Sequence, residues 1–412
     1  MISRTLSKFF LATRRFFPVL ALLGPRQSGK TTLAKFLFPD LPYYTLEDHD
    51  TRQFALKDPR GFLNSTKEGA IIDEAQNAPK FFSYLQTHVD ELGQKGRFIL
   101  TGSQNLLLHE GITQSLAGRV ALATLLPLSL EELHAQPTVG NSPEIPPPRT
   151  LYQHVLQGGY PSVVTMPETL HATWFASYTQ TYLERDIRLM KNIGDLSKFH
   201  DFLILCANRV GQLLNITSLA QDLAIAPQTA KEWLSLLEAS YVIFLLRPYH
   251  NNYNKRLTKQ PKLYFHDTGL ACHLIGLRTQ AQLQHSYLKG SLVENFMISE
   301  LLKSRQNRMQ TPALYFWRDH AGHEVDCLLE HDTHVYAFEI KASETITDDF
   351  FKNIHYWQTV SKHRTAYVVH GGLQEQPHTN VHVLSWKRLA DTSFLDFDYE
   401  KIAGTSAKSI FT

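Results

Sequence analysis

Cysteine is scarce in this 412-residue chain: the three present, Cys206, Cys272 and Cys327, are odd in number and far apart. That excludes a disulfide framework, offers no zinc spacing and suits a reducing compartment. Net charge is small as well, +2 from 41 Lys and Arg against 39 Asp and Glu. A global basic field for nucleic acid is therefore lacking, and any such contact has to come from a local patch. No apolar run reaches the roughly 20 residues that a bilayer crossing needs. The basic and then apolar start, MISRTLSKFFLATRRFFPVLALLG, imitates a signal peptide, but cleavage behind it would remove the strand that leads into a glycine-bearing loop. The expectation is a cytoplasmic protein without a membrane partner. The 20 histidines form no convincing ligand cluster; HDTH (331–334) and DHAGH (319–323) read as polar turns. What is present is a globular balance, 43% hydrophobic and 19% charged, which argues against wholesale disorder. The length allows roughly two to four domains.

The most informative stretch is GPRQSGKTTL (24–33), which follows the strand-like FPVLALL and opens a helical pattern. Gly24, four residues, then Gly29, Lys30 and Thr31 is the spacing of a P-loop. There the backbone N–H groups and a helix N-terminus face phosphate oxygens. Lys30 is expected to reach the terminal phosphates and Thr31 to ligate Mg²⁺. The expected nucleotide-binding residues are Gly24, Pro25, Arg26, Gln27, Ser28, Gly29, Lys30, Thr31 and Thr32, joined by Asp73 and Ser103.

GAIIDEAQ (69–76) reads as a buried parallel strand whose C-terminal end carries Asp73 for the Mg²⁺ shell and Glu74 to orient or deprotonate water. A helix N-terminus that favours acids is the plainer alternative. RFILTGS (97–103) ends in Thr101 and Ser103; Ser103 either senses the γ-phosphate or caps a helix. Arg119, in SLAGRV, is a candidate catalytic arginine from its own or a neighbouring subunit, or an ordinary exposed arginine.

GPRQSGKTTL, IIDEAQ, FILTGS and SLAGRV, with GGYP (158–161), YLERDI (182–187), YFHDTGLA (264–271) and GSLVENF (290–296), resemble the bacterial and archaeal AAA-type ATPases that carry a C-terminal DUF4143 domain. The resemblance covers almost the whole chain. It implies ATP as the nucleotide and an α/β fold: a P-loop NTPase parallel-sheet core, a helical lid, a winged-helix region and a nuclease-like C-terminal domain. The expected boundaries are 1–135 for the ATPase core, 150–200 for the lid, 201–283 for the winged helix, 284–390 for the nuclease-like domain and 391–412 for a tail. QPTVGNSPEIPPPRT (136–150) supplies the first boundary.

In the middle, HATWFASYTQTYLERDIRLMKNI (171–193) is helical in pattern. Its Glu184, Arg185 and Asp186 are either lid contacts to nucleotide or a solvated helical face. TSLAQDL, the turn AIAP and QTAKEWLSLLEAS have helix-turn-helix grammar, and the β-rich YVIFLLRPY suits a wing. A reading helix would offer Gln228, Thr229 and Lys231, although Glu232 and Glu238 oppose DNA. Lys255, Arg256, Lys259 and Lys262 form a basic strip for phosphate contact. A winged helix used for protein packing remains the alternative.

GHEVDCLLEHDTHVYAFEIKAS (322–343) reads as two strands around a turn. Asp326 comes from the first strand; Glu339 and Lys341, two residues apart, share one face of the second. Two carboxylates for Mg²⁺ and a lysine near a phosphodiester are the groups that metal-assisted hydrolysis requires. The pattern resembles the PD-(D/E)xK nuclease superfamily, with Val325 where proline is usual. The resemblance adds Glu294 as a further metal ligand and Gln358 on a following helix. An exposed hairpin with an Asp–Lys pair is the plainer reading.

The expected function is an Mg²⁺-dependent ATPase, hydrolysing ATP to ADP, whose nucleotide state repositions a winged helix and a nuclease-like domain, with DNA as the expected substrate. The rival is an ATP-switched DNA-binding or protein-interaction module whose nuclease-like domain is silent. Assembly into a homo-oligomer is left open.

Overall fold

Val19–Leu23 is buried along its whole length, as are Ala70–Asp73 and Phe98–Gly102. Side chains alternate across these strands. Val19, Ala21, Ile72 and Leu100 pack to one side; Leu20, Leu22, Ile71 and Ile99 pack on the other against Leu6, Phe10, Leu33 and Phe38. A sheet covered on both faces is the usual fate of parallel strands, because crossover helices lie over them. The computed structural model describes residues 2–66, 68–103, 115–135, 149–183, 195–249, 260–361, 363 and 365–391. Val19–Leu23 (β1), Tyr43–Thr45 (β2), Ala70–Asp73 (β3), Phe98–Gly102 (β4) and Val120–Thr124 (β5) form a five-stranded sheet in the order β2-β3-β4-β1-β5. Every pairing in it is parallel.

A second sheet has eight strands. They are Ile243–Pro248 (β6), Lys262–Phe265 (β7), Leu314–Arg318 (β8), Glu324–His331 (β9), His334–Lys341 (β10), Ala366–His370 (β11), Gln376–Pro377 (β12) and Val381–Ser385 (β13). Their order is β12-β13-β11-β10-β9-β8-β6-β7. β8, β9 and β10 are antiparallel neighbours, whereas β10, β11 and β13 run parallel. The helix Lys352–Val360 makes the crossover between β10 and β11.

The helices Ile216–Asp222 and Pro227–Ala239 stand where the sequence places them, the second opened by proline at its first position. The β-run after them departs from expectation. β6 and β7 form an antiparallel pair, and β6 also bonds β8 through Arg247–Tyr315 and Pro248–Phe316. The expected wing is thus the edge of the C-terminal sheet, which runs across the boundary drawn at 284. The helix expected over 171–193 is His171–Tyr178 followed by a π-helical turn, Thr179–Leu183. Glu184, Arg185 and Asp186 lie outside the described residues. Among the described residues, no helix is long and apolar enough to cross a membrane.

The parts are joined by polar groups buried between them. Leu128 N–H donates to the Gly159 carbonyl at 2.7 Å, and Gly159 N–H donates to Asp267 Oδ2 at 2.7 Å. A Cβ at Gly159 would lie 2.2 Å from the Leu128 carbonyl oxygen, so only glycine allows this approach. Asp267 also caps Thr268–Leu274, accepting from Leu270 N–H at 3.0 Å. Asn295 grips Phe265 from the long helix Lys289–Asn307, accepting from its N–H at 2.8 Å and donating to its carbonyl at 2.7 Å. The same helix reaches the first sheet's domain. Glu300 accepts from Leu130 N–H at 2.6 Å, and Lys303 donates to the Leu128 carbonyl at 3.2 Å and to Glu300 at 2.7 Å.

His266 is buried beside Phe244, its Nδ1 has no hydrogen-bond partner, and burial pushes its pKa down to about 3. It stays neutral when folded and takes a proton near the ordinary value of 6.5 when unfolded. Its contribution is complete above pH 6.5 and is lost as pH falls towards 3. At pH 5 that loss is about 2 kcal/mol. Urea unfolding at pH 7.5 and pH 5 should therefore show a smaller acid-induced loss in His266→Gln than in the wild type.

Candidate functional site

The loop after β1 closes as the sequence demands. Gly24 has φ 143° and a Cβ there would meet the Leu125 carbonyl oxygen at 2.2 Å; Gly29, at φ 93°, turns the chain into Lys30–Leu37. Gln27 also has positive φ, 63°. Lys30 is buried and folds back over the loop, donating to the Gly24 and Pro25 carbonyls at 3.0 and 2.8 Å. Arg26 pairs with Glu47 at 3.1 Å, and Thr32 is exposed in the first turn of the helix. Ser28 is fully buried and its hydroxyl has no protein partner, an orphan that a phosphate oxygen in the loop would satisfy.

Strand β3 delivers Asp73 to the start of the helix after this loop, and Glu74 follows it. Thr31 donates its hydroxyl to Asp73, with both oxygens at 3.1 Å, and Asp73 also accepts from Tyr43 at 2.8 Å and from Thr101. Burial, then Asp73 itself, raises the Tyr43 pKa, so the phenol stays a donor. Glu74 has a left-handed backbone, φ 52°, unusual for a side chain of this size. Its carboxylate accepts from the Ser103 hydroxyl at 2.9 Å, from Ser103 N–H at 3.3 Å and from Gln76. Ser103 thus orients Glu74. Thr101, noted at the strand end, meets Asp73, whereas Tyr43 and Gln76 escape a sequence reading because each meets its carboxylate only through strand order or a turn.

Arg4 was not foreseen either. Only 6% exposed, it donates to the Ser28 carbonyl at 2.9 Å, the Leu126 carbonyl at 2.6 Å and Glu132 at 3.0 Å. Glu132 in turn accepts from Ser129 N–H at 3.0 Å, completing a capping box at the head of Leu130–His134.

Arg119 requires a correction. It precedes β5, its carbonyl accepts from Val19 N–H at the start of β1, and the P-loop follows the other end of that strand. The strand is five residues long, about 16 Å. Arg119 therefore cannot serve the nucleotide site of its own chain; it is half-buried and paired with Asp90 at 2.6 and 2.9 Å.

In the C-terminal sheet, Asp326 accepts from Ile340 N–H at 2.8 Å across β9 and β10. Glu339, 2% exposed, accepts from Lys341 at 2.9 Å and Asn353 at 3.2 Å, while its second oxygen has no partner. Burial, then the charges of Glu339 and Glu294, holds the Asp326 pKa well above the carboxylate range. Burial likewise raises Glu339, with Lys341 working against it.

Glu294 and Lys262 also depart from expectation. Lys262, placed in the basic strip by sequence, is 3% exposed and pairs with Glu294 at 3.0 Å and Glu324 at 2.5 Å. Tyr264 donates to Glu294 as well. Burial lowers the Lys262 pKa, but Glu294, Asp326 and Glu324 outweigh it and keep the ammonium charged. Glu294 is engaged by an internal cation, and among the described residues no three His, Cys, Asp or Glu side chains are arranged to hold a metal. Gln358 donates to the Asn380 carbonyl at 3.2 Å. Gln228 and Lys231 are exposed and Thr229 half-buried in the first turn of Pro227–Ala239, with Gln228 bonded to Glu232 at 3.0 Å. Lys255, Arg256 and Lys259 lie outside the described residues.

A glycine-bearing loop between an inner parallel strand and a helix, faced by a carboxylate from the strand two places away, defines a P-loop NTPase core. The family comparisons agree: residues 17–134 match an AAA domain, 148–281 a domain of unknown function (DUF8612) and 289–389 a domain of unknown function (DUF4143). An uncharacterized protein of Mycobacterium tuberculosis, Rv2008c, is 31% identical over 330 residues, 80% of this chain and 71% of its own. An uncharacterized protein of Haemophilus influenzae is 26% identical over 211 residues, half of each chain. Among solved structures, the Walker-type ATPase PABY2304 of Pyrococcus abyssi is similar at 16% identity and TM-score 0.44, over 66% of this chain and 96% of that one. The chain belongs to the family of P-loop ATPases in which an AAA domain is followed by DUF4143.

The position of Arg119 makes a kinetic prediction. At concentrations where the chain is monomeric, Arg119→Ala should leave ATP turnover within about twofold of wild type, since the arginine finger's usual effect of about 10³–10⁵ has no route in cis. A loss that grows with protein concentration would instead place Arg119 in a neighbour's site.

Proposed function

We propose that the protein is an Mg²⁺-dependent ATPase whose nucleotide state is passed to its C-terminal half, which acts on DNA. The observation that carries the reading is the placement of Asp73 and Glu74, adjacent in sequence but given separate tasks. Asp73 faces Thr31, and Glu74 faces Ser103. Backbone N–H groups from Gly24 to Thr31, with the Lys30 ammonium, hold the phosphates of ATP. Thr31 and Asp73 offer the hard oxygen donors that suit Mg²⁺, which when bound neutralises phosphate charge. Glu74, held by Ser103 and Gln76, orients the attacking water and takes its proton.

Transmission is supported by Arg4, which joins the P-loop carbonyl of Ser28 to Glu132, two residues from the Leu130 N–H that Glu300 holds. A loop that tightens on ATP and relaxes on ADP then loads the helix Lys289–Asn307, a shift between two packings. On this reading Ile216–Asp222 and Pro227–Ala239 form the helical pair of a winged helix, with Gln228, Thr229 and Lys231 towards DNA. Lys262 favours a nuclease-like domain that binds rather than cuts, because its ammonium stands where the carboxylates would otherwise require a metal.

Lys30→Ala should abolish or strongly weaken ATP binding in calorimetric titration. Glu74→Gln should keep ATP bound while slowing hydrolysis by about 10²–10⁴; turnover at the wild-type rate would remove Glu74 from its role. Wild-type protein with Mg²⁺ or Mn²⁺, with and without ATP, should retard duplex DNA in a gel without shortening it. Cleavage that Asp326→Ala abolishes would show that the acidic cluster cuts after all.

A further inference from the structure

The helices Leu151–Gln157, His171–Tyr178, Thr268–Leu274 and Gln280–His285 enclose a cavity of about 630 Å³ far along the chain from the P-loop. The volume is that of a site for a small organic molecule. Its lining combines the apolar Leu156, Phe175 and Leu277 with the cationic Arg149 and Arg278 and one carboxylate, Glu168. Neither arginine has a carboxylate at ion-pair distance among the described residues. Arg278 donates to the carbonyls of His273 at 2.7 Å, Leu277 at 3.3 Å and Cys272 at 3.4 Å. Among the described residues Arg149 makes no side-chain hydrogen bond or ion pair, and burial lowers its pKa, with the charge of Glu168 opposing. Arg149 is half-buried and Arg278 exposed at the rim, and a guanidinium partly withdrawn from water with no carboxylate beside it gains from an anion that a ligand supplies.

Two further groups at the cavity lack partners. Gln157 is 5% exposed, and although its amide nitrogen donates to the Val163 carbonyl at 3.1 Å, its Oε1 has no partner. The buried Nδ1 of His273, stacked by Phe175 at 5.6 Å, is unpartnered too. Buried polar atoms unsatisfied together around one cavity are groups that a ligand with matching donors and acceptors would satisfy. The glycine Gly269 keeps the floor close, since a Cβ there would come 2.4 Å from the Gln157 carbonyl oxygen. Through Arg149 and Gln280 the cavity adjoins a second one of about 880 Å³, bordered by Gly371 and Lys387 of the C-terminal domain.

We infer that this cavity is a second ligand site, built for a small organic oxyanion, a phosphate ester or a carboxylate, carried on an apolar body. The oxyanion pairs with Arg149 and Arg278 in the forked geometry that guanidinium favours. The apolar body lies against Phe175 and Leu156, and a donor on the ligand meets Gln157 Oε1. Binding there joins the middle helices across the junction with the C-terminal domain.

Phenyl phosphate, benzoate and inorganic phosphate serve as probes, titrated calorimetrically into the full chain carrying Lys30→Ala and into wild type saturated with ADP, so that the P-loop does not compete. Phenyl phosphate or benzoate should bind one to one, at least tenfold more tightly than inorganic phosphate, and the tighter of the two assigns the oxyanion. Arg149→Gln should weaken that binding at least tenfold, and Arg278→Gln should do so independently. Because Arg149 is desolvated without a partner, Arg149→Gln should melt at the same temperature as its parent or higher. No binding of any probe, or binding that both arginine variants retain, overturns the site. So does a lowered melting temperature in Arg149→Gln, which would make that arginine a structural residue.

Discussion

The structure depends on one buried cation. Arg4, outside both sheets, donates to the P-loop, to the strand-exit segment at Leu126 and to Glu132. Removing one member of such a buried pair leaves an uncompensated charge and costs about 3–5 kcal/mol. The more important consequence is geometric. The loop that must close around phosphate is tied, through one guanidinium, to a helix start whose backbone N–H groups are held by a second domain. Glu132 accepts from Ser129 N–H, and Glu300 accepts from the next N–H, that of Leu130.

From there the contacts are continuous into the C-terminal half. Lys303 holds the Leu128 carbonyl, Leu128 N–H holds Gly159, and Gly159 N–H holds Asp267. The motifs GGYP, YFHDTGLA and GSLVENF, distant in sequence, meet at this junction: Asp267 and Asn295 each bond backbone from another segment. Buried charges and amides of this kind add little net stability but tolerate few alternative packings.

How much of this was legible depends on how far apart the interacting residues lie. The P-loop could be read because its whole apparatus is contiguous, and Asp73 and Glu74 because a short β-branched run names its own C-terminal end. Arg119 misled because a residue before a parallel strand belongs to the opposite end of the sheet from one that follows it, and motif proximity says nothing about that. Lys262 looked like surface charge beside Lys259; its burial comes from Glu294 and Glu324, 32 and 62 residues further along the chain. Arg4 meets Glu132 across 128 residues. The boundary at 284 follows composition, whereas strand pairing ignores linkers: β6 and β7 extend the C-terminal sheet although their sequence follows a helical pair.

The central claim is that the nucleotide loop and the helix Lys289–Asn307 are mechanically connected. Hydrogen–deuterium exchange on Glu74→Gln protein, with and without ATP and Mg²⁺, tests it most directly. ATP should protect the amides of the P-loop and also change exchange along Lys289–Asn307, and Arg4→Met in the same background should keep the first effect and lose the second. Protection confined to the P-loop, with Lys289–Asn307 exchanging identically in both nucleotide states, would contradict the account.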